Sequence, residues 1–154
     1  MDDVIPMLIS LGLGTLVGWE RQVGRKPAGL RTHVLVCLGS TMFVLTTSHA
    51  VAALGAGNLD PTRIVHGVIT GVGFLGAGSI MRREGWVQGL TTAASVWMVA
   101  AVGVAVGVHA YPLAITGTVL ALVVLEFYRW VERRMAPRGS GASSEAEGDN
   151  GDEL

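Results

Sequence analysis

The chain has 154 residues, of which half are apolar and only 15% are charged, whereas an average soluble domain carries roughly 25% charged residues. Asp60 is the only charged residue between Arg31 and Arg63, and none lies between Glu84 and Glu126. Because a soluble protein needs charge on every exposed face, these stretches argue against a soluble globular domain and predict lipid as the solvent.

Five apolar segments follow one another along the chain and predict an all-α, polytopic membrane protein. The segments are 16 to 22 residues long, close to the roughly 20 residues that a helix needs to cross a hydrocarbon core of about 30 Å. The predicted transmembrane helices cover residues 4–19, 33–54, 64–81, 90–108 and 112–128. Together they form a predicted membrane domain of residues 1–134.

The end of the sequence differs in composition from everything before it. The segment from Gly139 to Leu154 carries five acidic residues and no basic one, among mostly glycine, serine and alanine. Such a segment cannot bury enough apolar surface to offset its chain entropy. Residues 135–154 are therefore predicted to form a disordered acidic tail.

Basic residues lie almost entirely on one side of the predicted helices. Ten of the eleven lysines and arginines follow the first, third or fifth span, and Arg63 alone falls on the other side. The positive-inside rule then predicts a cytoplasmic C-terminus and an N-terminus outside. That arrangement requires an odd number of spans, and five satisfies it. The ten residues are Arg21, Arg25, Lys26, Arg31, Arg82, Arg83, Arg129, Arg133, Arg134 and Arg138.

The third span carries a dense cluster of glycines, which we expect to serve helix packing. Small residues let transmembrane helices approach closely, and this packing replaces the hydrophobic driving force that lipid does not supply. The run from Gly71 to Gly76 also matches the dinucleotide-binding pattern G-x-G-x-x-G, but its sequence context lacks the required strand and acidic residue. A local break of the helix toward a polar cavity stays open as an alternative. The predicted packing residues are Gly71, Gly73, Gly76 and Gly78.

Charged residues are missing from the middle of every predicted span, although proton relays and ion pathways usually need them. A magnesium site needs several carboxylate oxygens, and Glu20, Asp60 and Glu84 all lie at span boundaries. The sequence therefore identifies no metal ligand and predicts no cofactor. The four histidines are scattered through the chain, which favours hydrogen bonds between helices over a metal site.

Ser79 follows the glycine cluster, where it invites comparison with the nucleophile of an intramembrane hydrolase. Such chemistry needs a base within hydrogen-bond reach of the serine. No histidine can be assigned to that role from the sequence, so we expect the protein not to be an enzyme.

Three boundary segments carry polar patterns that are less generic than the spans. The first joins Glu20-Arg21 to residues 26–33. In the second, Asp60 can cap the third helix and Arg63 can reach a carboxylate or a lipid headgroup. The third, residues 89–95, contains hydroxyls that can bond to backbone groups or facing helices. Capping or anchoring explains each segment as well as a functional role does.

At these segments the sequence resembles the MgtC/SapB family of bacterial inner-membrane proteins. One motif alone is weak, but five motifs in the family's order, spanning residues 5 to about 130, are specific. The motifs are Gly18-Trp19-Glu20-Arg21, Ala28-Gly29-Leu30-Arg31-Thr32-His33, Asp60-Pro61-x-Arg63, Gly71-x-Gly73-Phe74-Leu75-Gly76-Ala77-Gly78 and Gly89-Leu90-Thr91-Thr92-Ala93-Ala94.

The resemblance implies a five-span, multi-pass protein of the bacterial cytoplasmic (inner) membrane. It also implies a link to growth under magnesium limitation and, in some pathogens, to survival inside host cells. Since several members are viewed as regulators of other membrane machinery, we expect a regulatory or interaction protein that supports adaptation to low magnesium or related stress. Its expected partners are the lipid bilayer and a membrane protein, a homo-oligomer is left open, and no nucleic acid is expected. The expected functional surface is Glu20, Arg21, Arg31, Thr32, His33, Asp60 and Arg63.

The alternative is a transporter or channel for a cation, such as Mg²⁺ or H⁺, or for a small solute. Its path would be lined by a glycine-broken third span and by the hydroxyls of the fourth.

Overall fold

The computed structural model describes residues 3–54, 62–83 and 85–135. They form a bundle of five helices, which confirms the predicted all-α class, together with one short hairpin that was not predicted from the sequence. The elements are α1 (Val4–Val23), α2 (Leu30–Leu54), α3 (Thr62–Gly78), β1 (Met81–Arg83), β2 (Trp86–Gln88), α4 (Leu90–Gly107) and α5 (Tyr111–Met135).

Two sequence predictions fall largely or wholly outside the described residues. Of the predicted tail, residues 135–154, only Met135 is described, and it is the last residue of α5. The predicted cap at Asp60 also lies outside the described residues, since the description resumes at Thr62.

Three of the described helices are long and apolar enough to cross a membrane by length and composition. They are Leu30–Ala53 within α2, Leu90–Gly107, which is α4, and Tyr111–Val131 within α5. Of the other two, α3 has 17 residues, and α1 carries Glu20 and Arg21 near its end. These apolar helices indicate a membrane protein.

Helix α4 occupies the centre of the bundle and contacts each of the other four helices. On one side, Val99, Val102 and Val106 pack into a buried cluster with residues of α1, α2 and α5. On another side, Val96 and Ala100 pack against α3. Because α4 is covered from several directions, its sequence can remain apolar all round without a polar face.

Close approach of α1 and α4 to α2 depends on glycine. A Cβ atom added to Gly18 would lie 2.8 Å from the Cα atom of Leu30, and one added to Gly107 would lie 2.6 Å from the Cβ atom of Val44. Both distances are far shorter than normal contact, so these positions have no room for a larger residue. The G-x-x-x-G pairs that bring backbones together are thus Gly14/Gly18 and Gly103/Gly107.

The glycines of α3 have a different environment. A Cβ atom on Gly76 would be in ordinary contact with Ala93, at 3.5 Å, whereas one on Gly71, Gly73 or Gly78 would meet nothing within 4 Å. Among these four glycines, only Gly76 therefore packs against another helix of the described chain. The packing role expected for the other three stays a prediction, and it would require a second molecule to pack against them. The α-helix is continuous from Thr62 to Gly78, so the alternative of a helix broken at the glycines is wrong.

The link from α3 to α4 is an antiparallel hairpin in which Met81 pairs with Gln88 and Arg82 with Val87. The third helix ends at Gly78 rather than at the predicted residue 81, because the chain turns at Ser79 and enters β1. Gly89, which precedes α4, has a φ of 96°, and a Cβ atom there would collide with the carbonyl oxygen of Ser79. Only glycine fits this junction without strain.

Candidate functional site

Two adjacent charged residues, Glu20 and Arg21, are buried near the end of α1, where they are 6% and 2% exposed. Successive helical residues point about 100° apart, so neighbouring side chains face different helices. We call this end of the bundle, which carries Arg21, Arg31, Arg82 and Arg129, the basic end. Burial of opposite charges as a pair lowers the cost of removing each from water.

The Glu20 carboxylate faces α5. Arg129 donates a hydrogen bond of 3.4 Å from Nη1 to Glu20 Oε1 and holds Glu126 with two bonds of 2.6 and 2.7 Å from Nη2. Arg129 thus bridges one buried and one half-exposed carboxylate. A Cβ atom on Gly24 would lie 2.9 Å from Arg129 Nη1, so the glycine leaves room for this bridge.

The Arg21 guanidinium faces α4. Its Nη2 atom donates to Thr92 Oγ1 at 3.3 Å, and Nη1 lies 3.7 Å from Glu20 Oε2. Arg21 lies beyond the predicted span of residues 4–19, and burial lowers the pKa of its guanidinium, while the charge of Glu20 raises it. Arginine nevertheless remains protonated in proteins. We call Glu20, Arg21, Thr92, Glu126 and Arg129 the charged network.

Two buried atoms of the charged network have no hydrogen-bond partner among the described residues. They are Glu20 Oε2 and Arg21 Nε. The network contains two carboxylates and two guanidinium groups, so its formal charges sum to zero. The ion pairs and hydrogen bonds among these groups connect α1, α4 and α5 at the basic end.

His33 ties α2 to α4 in the same region. The imidazole is fully buried, with Nδ1 2.9 Å from the carbonyl oxygen of Gly29 and Nε2 3.1 Å from Ser95 Oγ. Because the carbonyl can only accept, Nδ1 donates the bond to Gly29. Ser95 Oγ also lies 2.9 Å from the Thr92 carbonyl, so its single proton can serve either acceptor. The expectation that histidines bond between helices is confirmed for His33.

A second, uncharged polar cluster lies deeper in the bundle. Thr41 Oγ1 lies 2.8 Å from the carbonyl oxygen of Gly103 and 2.9 Å from Ser10 Oγ, and Ser10 Oγ lies 3.3 Å from Cys37 Sγ. These contacts connect α1, α2 and α4. Buried Val17 and Val99 lie between the two clusters along α1 and α4, so apolar side chains separate the charged network from the inner hydroxyls.

Titratable side chains form no evident metal site in the part of the chain that the structure describes. No three residues among His, Cys, Asp and Glu come together there as a group that could hold a metal ion. Ser79, the serine considered as a nucleophile, donates its hydroxyl proton to the carbonyl of Gly76 at 2.7 Å.

Comparison with known proteins identifies the family. The family model described as the MgtC family matches residues 7–134. The chain belongs to the MgtC family. This result confirms the resemblance given by the five motifs. No solved structure matches the chain at a significant level.

Curated relatives of this MgtC-family protein come from several bacteria. YhiD of Escherichia coli (strain K12), whose name proposes magnesium transport, is 45% identical over 122 residues, which cover 77% of the chain and 57% of YhiD. SapB of Bacillus subtilis (strain 168) is 35% identical over 139 residues, which cover 85% of the chain and 60% of SapB. MgtC of Brucella abortus (strain 2308) is 43% identical over 112 residues, which cover 73% of the chain and 45% of that MgtC. The matched region is thus about half of each relative's length.

The residues predicted as a functional surface of this MgtC-family protein do not form one surface. Glu20 and Arg21 lie together in the charged network, and buried His33 lies nearby against Ser95. Arg31 and Thr32 are exposed at the start of α2, whereas exposed Arg63 lies at the opposite end of α3. Asp60 is outside the described residues.

Three residues that lie beside the predicted ones in the structure could not be assigned to the site from the sequence. Thr92 and Ser95 were part of a hydroxyl run with a generic role, and Arg129 was one of the ten basic residues that indicate the orientation. Each contacts a predicted residue that is 62 to 109 positions away in the sequence. A local signal did exist, because a hydroxyl run at a helix start is unusual in an otherwise apolar segment.

Proposed function

We propose that this protein spans the bacterial cytoplasmic membrane five times, with the basic end on the cytoplasmic side. The apolar part of α1, residues 4–19, is about 24 Å long at 1.5 Å per residue, so Glu20 and Arg21 fall at the edge of a hydrocarbon core of about 30 Å. The arginines of the basic end favour the cytoplasmic side under the positive-inside rule. Trp19, 63% exposed near the end of α1, suits a headgroup boundary.

We propose further that the protein is not an enzyme but a regulatory or interaction protein that supports adaptation to low magnesium or related stress. The outward face of α3 carries this proposal. Ile69, Gly73 and Ala77 follow one another at intervals of four and are exposed, and nothing lies within 4 Å of a Cβ atom on Gly73. Exposed glycine contributes little contact with lipid, whereas a partner helix can approach it closely.

The arrangement of polar groups gives a second line of support. The charged network is neutral and its members bond to one another, and Val17 and Val99 separate it from the inner hydroxyls. A transport path would need polar groups in a continuous series across the bilayer. Helix α3 is also continuous through its glycines, so it lacks the break that a transport path along this helix would use.

Site-specific crosslinking in intact bacterial membranes tests the interaction. A photoreactive amino acid at position 73 of α3 should form a discrete adduct with another membrane protein. The matched control is position 119 of α5, where Val119 is 52% exposed and a crosslinker should meet mainly lipid. Adducts of equal yield and identity from both positions, or from neither, would count against a partner on α3.

Ion flux tests the transport alternative, which the name of YhiD favours. Liposomes that contain only this protein should show no Mg²⁺ or H⁺ flux under a gradient, because the proposed role requires another membrane protein. Flux that depends on the protein would replace the regulatory proposal by a transport function. A deletion strain should grow poorly at limiting magnesium, and the wild-type chain should restore growth.

A further inference from the structure

A long apolar groove separates α2 from α3. It has a volume of about 680 Å³ and is lined on α2 by residues from Leu35 to Thr47 and on α3 by residues from Ile64 to Leu75. The α2 wall covers 12 residue steps, or about 18 Å at 1.5 Å per residue, which is close to one leaflet of a core about 30 Å thick.

Glycines make this groove wide. Gly39 of α2 and Gly67 and Gly71 of α3 line it, and a Cβ atom on any of the three would meet nothing within 4 Å. The space at these positions is therefore open rather than filled by the neighbouring helix. Deep in a bilayer, such space is filled by an apolar chain.

A polar hollow lies at the basic end, about one turn of α2 before the first groove residue, Leu35. It has a volume of about 460 Å³ and is lined by Gln22, Gly29, Leu30, Arg31 and Thr32. Thr32 precedes Val36 of the groove by four residues and Gly39 by seven, so the three share one face of α2. Arg31 is exposed and precedes Leu35 of the groove by four residues.

The apolar groove and the polar hollow together match the apolar chain and the headgroup of an amphiphile with one negative charge. We infer that the α2–α3 groove and the adjacent hollow bind an anionic phospholipid, with an acyl chain beside Gly39 and Gly71 and the phosphate at Arg31 and Thr32. A guanidinium and a hydroxyl are the donors that a phosphate accepts from. Side chains of helical residues lean toward the helix N-terminus, which directs Arg31 toward the headgroup layer.

Charge and length favour this occupant over a helix from a second copy. A second helix would fill only the groove, whereas a phospholipid fills the groove with an acyl chain and places its phosphate at Arg31 in the hollow. An uncharged lipid would fill the groove without using the arginine. The inference is independent of the proposed protein partner, which lies on the outward face of α3 at Gly73.

Native mass spectrometry of purified protein tests the inference. The protein is loaded with an equimolar mixture of phosphatidylglycerol and phosphatidylcholine, and the retained lipid is identified. Because one arginine near a membrane surface favours an anionic lipid by about 1 kcal/mol, we expect about fivefold preference for phosphatidylglycerol. Equal retention of the two lipids would overturn the inference.

Two variants with matched controls locate the site. Arg31→Gln should abolish the preference, whereas Arg25→Gln, an exposed arginine outside the hollow, should keep it. Gly71→Leu should fill the groove and release the bound lipid, whereas Gly12→Leu on α1, also in open space, should not. Equal behaviour within either pair would refute the assignment.

Two further measurements exclude other occupants. Soluble glycerol 3-phosphate should not displace the lipid at equal concentration, since the acyl chain is required for binding. Displacement by it would mean a free phosphate site instead. Analytical ultracentrifugation should give the same mass for wild type and Gly71→Leu, and a wild-type dimer that Gly71→Leu dissociates would assign the groove to a second copy.

Discussion

Replacing Glu20 by glutamine tests whether the charged network holds the basic end together. The substitution keeps the shape of the side chain but removes the charge between Arg129 Nη1, 3.4 Å from Oε1, and Arg21 Nη1, 3.7 Å from Oε2. With an effective dielectric constant of about 20, each contact is a gross attraction of about 4 to 5 kcal/mol. Removing one partner of a buried pair typically costs about 3–5 kcal/mol, because the opposite charge stays buried without compensation.

The measurement is the free energy of unfolding in mixed micelles with increasing sodium dodecyl sulfate, followed by tryptophan fluorescence. Glu126→Gln is the matched control, because Glu126 also binds Arg129 but its side chain is 52% exposed, and exposed ion pairs contribute about 0.2–1 kcal/mol. We expect Glu20→Gln to lose several times more stability than Glu126→Gln. Equal losses for the two variants would show that burial gives Glu20 no special role.

Three further predictions concern the interior. Gly103→Ala should lower the free energy of unfolding by about 1–3 kcal/mol through overpacking, since the added Cβ atom would lie 2.8 Å from the Cβ atom of Ser40. Gly71→Ala, at a position in open space, should cause no loss. Equal losses for the two variants in the same unfolding assay would contradict the packing argument. Thr41→Val should cost about 0.6 kcal/mol, the mean for hydrogen bonds between membrane helices, and a loss of several kcal/mol would show a stronger bond to Gly103. Cys37, fully buried, should react with a maleimide much more slowly in the folded protein than after unfolding, and equal rates measured by mass spectrometry would contradict its burial.

The helices could be predicted from the sequence because their signals are local. Apolar runs between charged residues give all five helices, and the ends of α2 and α4 fall within a few residues of the predicted bounds. The hairpin was missed because its strands contain only three residues each, too few for an alternation of apolar and polar residues to be recognised.

The candidate site could be predicted only in part, because its contacts are not local. The motif Glu20-Arg21 identifies two charges at a helix end, but their separate partners, Arg129 and Thr92, depend on the packing of α5 and α4. Glycine spacing has the same limit. The pairs Gly67/Gly71 and Gly103/Gly107 look alike in sequence, yet the first lines an open groove and the second contacts α2.

Helix α3 is held differently from its neighbours, and this difference links the groove to function. Ion pairs and hydrogen bonds join α1, α2, α4 and α5, whereas the buried residues of α3 are Val68, Val72 and Gly76. Between helices in lipid, apolar contacts lack the hydrophobic driving force and stabilise only by close packing. The charged network includes no residue of α3, so a lipid in the groove or a partner at Gly73 would change the position of α3 without breaking the ion pairs of that network.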